Sequence, residues 1–206
     1  MKVVPKHSFL LRVFHWINVP LLALMVWSGW LIYWANDVYP GFFPQWFYDF
    51  MHIPYRLAEG ISIHFFVAWL FVFNGLAYFL WFFFSRHARE VLPRTETFRL
   101  AWPTFLHDLG LRKQAPEQDK FNALQKIAYS ALLVVAALEV LSGFAIYKPV
   151  QLGWLVVCFG GYEGARLVHF SMMILFCLFV VLHVIQVARA GWNNFRAMVA
   201  GFEVEK

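Results

Sequence analysis

The sequence predicts an all-α integral membrane protein, a bundle of four transmembrane helices with both termini cytoplasmic. Three observations predict it. The composition is 61% hydrophobic, 20% aromatic and 14% charged over 206 residues, which leaves too little polar material to clothe a soluble domain of this size. Four apolar stretches, 10–33, 61–84, 124–147 and 166–187, each come close to the ~20 residues that cross a ~30 Å hydrocarbon layer. Finally, all of the 17 basic residues except Arg56, Lys148 and Arg166 fall in the N-terminal arm, the central connection with the start of the third helix, or the tail. The positive-inside rule then places those segments in the cytoplasm.

Taken in order, the first helix, Leu10 to Tyr33, follows a basic arm carrying Lys2, Lys6 and Arg12. It is too long for a signal-peptide core and lacks a small-x-small cleavage site, so it is predicted to be retained. The connection 36–60 holds Tyr39, Phe42, Phe43, Trp46, Phe47, Tyr48, Phe50 and Tyr55. Such aromatics suit the outer membrane interface and, equally, a docked partner subunit. The second helix runs from Ile61 to Phe84. The long, charged connection 85–121, with Pro93, Pro103 and Pro116, is predicted to lie on the cytoplasmic surface and carries no catalytic or nucleotide motif. The third helix, Leu124 to Tyr147, and the fourth, Arg166 to Val187, flank a shorter outer connection, and the whole of 1–206 reads as a single membrane domain. Continuously apolar runs exclude the alternation of a β-barrel. The net charge of +5 follows from topology and calls for no nucleic-acid partner. Cys158 and Cys177 differ in depth, which argues against a disulfide.

A faint internal repeat runs through the chain. The first helix ends Ser28-Gly29-Trp30-Leu31-Ile32-Tyr33 and the third ends Ser142-Gly143-Phe144-Ala145-Ile146-Tyr147, while the second opens His64-Phe65 and the fourth His169-Phe170. Superposing the halves sets Tyr129 against His15 and Tyr78 against His183.

Histidine is the chemistry-bearing residue of the spans. His169 and His183 stand fourteen residues apart on one apolar helix, about 21 Å of rise and within about 40° of whole turns, so both leave the same face at two depths. An ionisable side chain inside a span is costly and marks function, and neutral imidazole is the commonest protein ligand for metals, haem iron included. By depth, His15 pairs with His183 near the cytoplasmic side, and His64 with His169 near the outer side. The other four of the eight histidines, His7, His52, His87 and His107, lie in the arm or the connections and read as solvated or interfacial. His52 lies on the face where a redox partner would dock. No Cys-x-x-Cys-His occurs, so covalent c-type attachment is not expected.

These residues carry a resemblance. Arg12-x-x-His15-Trp16-x-Asn18 leading to Ser28-Gly29, the histidine opening the second helix, Phe121-Asn122-Ala123-Leu124-Gln125-Lys126, and the pair in the fourth helix resemble the di-haem cytochrome b subunits of respiratory formate dehydrogenases, nickel-iron hydrogenases and thiosulfate reductases. Ile32-Tyr33-x-Ala35 and Gly191-Trp192-Asn193-Asn194-x-Arg196-x-Met198 are most similar to the thiosulfate reductase branch. The resemblance covers nearly the whole chain.

It implies two haems b, one held by His15 and His183 and one by His64 and His169, with no catalytic residue of the chain's own. Bis-imidazole ligation makes such haems electron carriers. Gly29 and Gly143 suit either clearance for the macrocycle or small-residue helix packing, and Arg12, Arg86 and Arg166 either propionate pairing or topology anchoring. In the family a quinone, menaquinone or ubiquinone, sits beside the cytoplasmic-side haem, and Asn122, Gln125 and Lys126 match that motif. A plain helix start capped by Asp119 is the competing reading of the same segment. Asp108, Glu117 and Asp119 are nearby candidates for proton delivery. Glu139, deep in the third helix, is read as a packing residue, a proton path or a neighbour of the outer haem. The implied function is an electron-transfer subunit in a bacterial inner membrane, linking quinone to a periplasmic oxidoreductase. That partner would contain molybdopterin or act through an iron–sulfur or c-type cytochrome intermediary. A free-standing quinone oxidoreductase, for example one oxidising superoxide, and a histidine-based proton or metal transporter are the alternatives.

Overall fold

The computed structural model describes residues 2–35, 43–53, 55–116 and 121–205. Its elements in chain order are β1 (Lys2–Pro5), α1 (Phe9–Tyr33), α2 (Gln45–Phe50), α3 (Leu57–Phe84), α4 (His87–Val91), α5 (Thr95–Asp108), α6 (Ala123–Tyr147), α7 (Gly153–Cys158), α8 (Tyr162–Ala190), α9 (Trp192–Ala200) and β2 (Phe202–Glu205). Four helices are long and apolar enough to cross a membrane: α1, α3, α6, and α8 with its continuation α9. The protein is thus an all-α, multi-pass membrane protein, as its composition predicts. α3 and α8 begin four residues before their apolar runs, because Glu59 and Glu163 occupy their first turns. Acidic groups favour helix N-termini, where they meet the positive end of the dipole. Each is also paired within its turn, Glu59 accepting from Arg56 Nε at 2.7 Å and Glu163 from Arg166 Nη1 at 3.0 Å.

The residues group into two compact units, Met1–Leu80 with Val187–Lys206, and Trp81–Gln186. In the first unit α1 is capped by Ser8, whose side chain accepts from Leu11 N, and continues through Pro20. Asn74 Nδ2 on α3 donates to Asn18 Oδ1 on α1 at 2.8 Å, a polar tie between spans. Toward the end of α1, Leu31, Trp34, Tyr48 and Ile53 form a buried cluster, with Trp27, Trp30, Tyr33 and Met51 packed against it. The aromatic connection is therefore divided. Tyr48 faces inward, whereas Trp46, Phe50 and Tyr55 are exposed. Tyr39 and Phe42 lie outside the described residues.

The termini form a feature that the helical reading does not include. β1 and β2 pair antiparallel, Val3 opposite Val204 and Val4 opposite Glu203, and Lys6 bonds to the Glu203 carboxylate. Asn193 holds the ribbon from α9, its Oδ1 accepting from Val204 N at 3.0 Å. Arg12 Nη1 donates to Val199 O at 2.7 Å and Trp16 Nε1 to Met198 O at 3.1 Å. The start of α1 and the Trp192–Met198 motif, which the resemblance quotes separately, are thus one clasp.

In the second unit the central connection is structured. α5 and the short α4 both pack on α6, Thr97 Oγ1 accepts from Arg94 N at 3.0 Å to open α5, and Pro103 sits inside that helix. At the other end of α6, Ala145, Leu155 and Ala165 are buried together, with Phe144, Leu152 and Phe159 against them.

Candidate functional site

His64 and His169 are built in the same way. In the first unit, the α1 segment that ends the span brings Ser28 and Gly29 against His64 on α3. Ser28 Oγ donates to Leu24 O at 2.6 Å and lies 2.9 Å from His64 Nδ1. A hydroxyl has one proton, and here the carbonyl takes it, so the imidazole is the donor and Ser28 the acceptor. In the second unit, Ser142 Oγ donates to Leu138 O at 2.6 Å and lies 3.2 Å from His169 Nδ1. Nδ1 is also 3.1 Å from Glu139 O, a carbonyl that can only accept. Both rings therefore carry a proton on Nδ1 and the lone pair on Nε2. Neutral imidazole ligates iron in this form. The glycines lie against the two rings, and at Gly143 the missing Cβ eases the approach. A Cβ at Gly143 would stand 3.2 Å from His169 Cε1, and one at Gly29 3.6 Å from His64 Cε1. The space they leave is taken first by the histidine ring.

His15 and His183 have aromatic surroundings. The His15 ring meets Trp16 edge-on at 5.2 Å, and the His183 ring stacks on Phe179 at 5.8 Å and 9°. The tyrosines at the repeat-related positions are likewise set against phenylalanines, Tyr78 against Phe14 and Tyr129 against Phe121. Glu139 stands at the His169 site, its Oε1 3.5 Å from His169 Nε2 and its Oε2 buried without a hydrogen-bond partner among the described residues.

The segment at the start of α6 is a reciprocal cap. Asn122 is the N-cap, its Oδ1 accepting from Gln125 N at 2.8 Å while Gln125 Oε1 accepts from Asn122 N at 2.9 Å. This corrects the expectation of an Asp119 cap: with both amide oxygens committed to the backbone, Asn122 closes the helix itself. Their amide NH₂ groups are the donors that remain to meet a ligand carbonyl. Lys126 follows in the same turn. Asp119, like Glu117, lies outside the described residues, and Asp108 ends α5 beside His107, 3.5 Å from its Nδ1.

The surroundings of the remaining residues are as follows. His87 is not solvated; its side chain is 12% exposed, ringed by Trp81, Phe82 and Phe121 at centroid distances of 5.3, 5.9 and 5.9 Å. Arg12 is engaged by the terminal clasp, with Gly201 leaving room for its guanidinium. Arg166 is held by Glu163, and Arg86 precedes α4. His52 is exposed, with left-handed backbone, and its carbonyl accepts from Arg56 at 3.1 Å. Ser28 and Ser142 touch the two histidines, and the sequence reading gives them no role of their own. The available signal was the Ser-Gly pair repeated ahead of each helix-opening His-Phe.

Apolar spans carrying neutral, hydrogen-bonded histidines are chemically suited to hold haem, as membrane cytochromes of the b type do. A sequence model described as prokaryotic cytochrome b561 matches residues 6–201, and the chain belongs to that family. It is also 34% identical over 196 residues, 95% of this chain and 96% of the relative, to a protein of Azospira oryzae named as the protein-methionine-sulfoxide reductase subunit YedZ1. Haem b and electron transport come with the family, as the resemblance implies.

Proposed function

We propose that this chain is the di-haem b membrane subunit that carries electrons between the quinone pool and a periplasmic oxidoreductase in a bacterial inner membrane. The observation that carries the reading is the matched tautomer of His64 and His169, each proton held on Nδ1 so that Nε2 can face iron. Depth in the sequence pairs His64 with His169 and His15 with His183. When bound, the haems supply one-electron relay. The chain's part is to hold the four imidazoles, to keep water from them within apolar spans, and to meet quinone at the start of α6. There the NH₂ groups of Asn122 and Gln125 would donate to a quinone carbonyl, and Lys126 would hold a proton on the cytoplasmic side.

The relative's name supports a subunit of a larger enzyme over a free-standing oxidoreductase. It also favours a partner that reduces methionine sulfoxide, with electrons leaving the quinol and passing outward. Family membership removes the support for the transporter alternative. Pyridine haemochrome analysis of the purified chain should give about two haems per polypeptide. Co-purification from native membranes should bring down a catalytic oxidoreductase, and quinol addition should reduce the haems. A single haem, or haems that quinol leaves oxidised, would overturn the proposal.

The capping geometry dictates how the quinone end is tested. Asn122→Leu would remove the cap as well as the donor, at about 1 kcal/mol of helix stability. Asn122→Ser keeps an oxygen to accept from Gln125 N and loses only the NH₂. That variant should hold both haems with unchanged spectra and slow stopped-flow reduction by a quinol analogue by about tenfold, as expected for one hydrogen bond of ~1.4 kcal/mol. Wild-type rates would move the quinone away from Asn122.

A further inference from the structure

We propose that Ser28 and Ser142 are positioning residues for the axial ligands of one haem. Each hydroxyl accepts the Nδ1–H of the histidine on the neighbouring span, alone at His64 and together with Glu139 O at His169, and so helps to fix which nitrogen meets iron and how the ring is turned. The inference deepens the proposed function and rests on its assignment of His64 and His169 as ligands.

Three observations support it. First, both serines are fully buried in apolar spans, at 0% exposure, and both spend their own proton on the carbonyl four residues earlier. Back-bonding of this kind is common for serine in helices. It turns the oxygen lone pairs outward, and in both units an imidazole Nδ1 is what they meet, at 2.9 and 3.2 Å. Second, the following residue is glycine in both cases and lies against the ring edge, a Cβ at Gly29 making ordinary contact with His64 Cε1 at 3.6 Å. At Gly143 even a methyl group would stand 3.2 Å from Cε1, tighter than ordinary van der Waals contact. Ser142-Gly143 thus works as a unit of acceptor and clearance. Third, the device recurs although the separations differ, 36 residues from Ser28 to His64 and 27 from Ser142 to His169. Connections of unequal length do not impose one geometry, so the recurrence belongs to the site.

An acceptor on Nδ1–H makes an imidazole a stronger donor to its metal. A stronger donor favours ferric over ferrous iron and holds the midpoint potential down. On the proposed pairing both serines act on the outer haem, so their effects should add there and leave the other haem as an internal standard.

The test is potentiometric titration and low-temperature electron paramagnetic resonance of the full chain carrying Ser28→Ala, Ser142→Ala, both together, and the two single cysteine variants. Two haems should be retained. The midpoint of one haem should rise in each alanine variant, less for Ser142→Ala because Glu139 O still accepts from His169 Nδ1, and rise further in the double, with its ferric signal displaced, while the other haem stays at its wild-type potential. Cysteine, similar in volume and a weaker acceptor, should give a smaller rise. If alanine prevents haem assembly, the cysteine variants decide: a raised midpoint supports the role, and a wild-type midpoint and signal overturn it. Unchanged potentials and signals in the double alanine variant also overturn it. His64→Ala and His169→Ala separate the two levels of the argument. Should they lose a haem while the serine variants change nothing, the serine role alone is wrong; should they keep both haems, the ligand assignment is wrong.

Discussion

His64→Ala and His169→Ala should each lower the haem content from about two to about one per chain, and both should lose the same spectral component. His15→Ala and His183→Ala should each lose the other. The expectation follows from the proposed bis-imidazole ligation, in which one missing ring leaves an axial position open; at the His169 site the nearby Glu139 carboxyl, 3.5 Å from Nε2, is an oxygen donor that does not replace an imidazole. The Ser-Gly device makes the case sharper for the first pair. Once the His64 ring is gone, Ser28 Oγ keeps its bond to Leu24 O, and the span loses a ligand without losing its helix. Pyridine haemochrome content and the reduced α band, resolved by redox titration, are the measurements. A His15→Ala protein that keeps both haems, or a His64 variant and a His169 variant that lose different components, would break the pairing by depth.

Gly164→Ala should be the most damaging single methyl group in the chain. A Cβ there would stand 2.0 Å from Phe159 O, and a backbone carbonyl has no rotamer by which to retreat. The turn that leads from α7 into α8 would have to open, disturbing the buried set of Ala145, Leu155 and Ala165. Overpacking of this kind costs about 3 kcal/mol, which in a chain of this length lowers the melting temperature by roughly 6–12 °C. Gly60→Ala should follow it closely, because its Cβ would meet Leu31 Cβ at 2.6 Å where α3 crosses the end of α1. Gly75→Ala is the control: nothing lies within 4 Å, so it should be neutral or, through helix propensity, stabilising by up to about 1 kcal/mol. Thermal unfolding in detergent, followed by loss of the Soret band and of helical ellipticity, orders the three. Equal melting temperatures for Gly164→Ala and Gly75→Ala would show that the α7–α8 turn yields without cost.

The four spans were legible because each is a continuous apolar run of membrane length, a signal that needs no partner to be read. Their polar ends were less so: Glu59 and Glu163 fall outside any apolar window, yet dipole and ion pair make them first-turn residues. The α6 cap shows a different limit. Asn122 and Gln125 stood out as a motif, but a ligand-binding amide and a capping amide look alike in sequence. Only the paired bonds to backbone N–H show that the oxygens serve the helix. His87 lay in a charged connection and read as solvated or interfacial, because the rings that enclose it come from two separate segments, Trp81 and Phe82 at the end of α3 and Phe121 ahead of α6.

By itself, then, the sequence determined the membrane class, the number and place of the spans, and the family. These depend on composition and on helical rise and rotation, properties of a residue and its near neighbours. Tertiary structure decided the rest. The terminal ribbon joins segments of four residues from opposite ends of the chain, too short to carry a periodic signal. The clasp gives Arg12 and Trp16 carbonyls near the end of α9 as acceptors, which no local pattern encodes. The tautomers of His64 and His169 follow from hydroxyls 36 and 27 residues away, joined at His169 by the Glu139 carbonyl, all placed by helix packing. A hydrogen bond is directional and short, so whether an imidazole has one, and through which nitrogen, is settled only when the spans have come together.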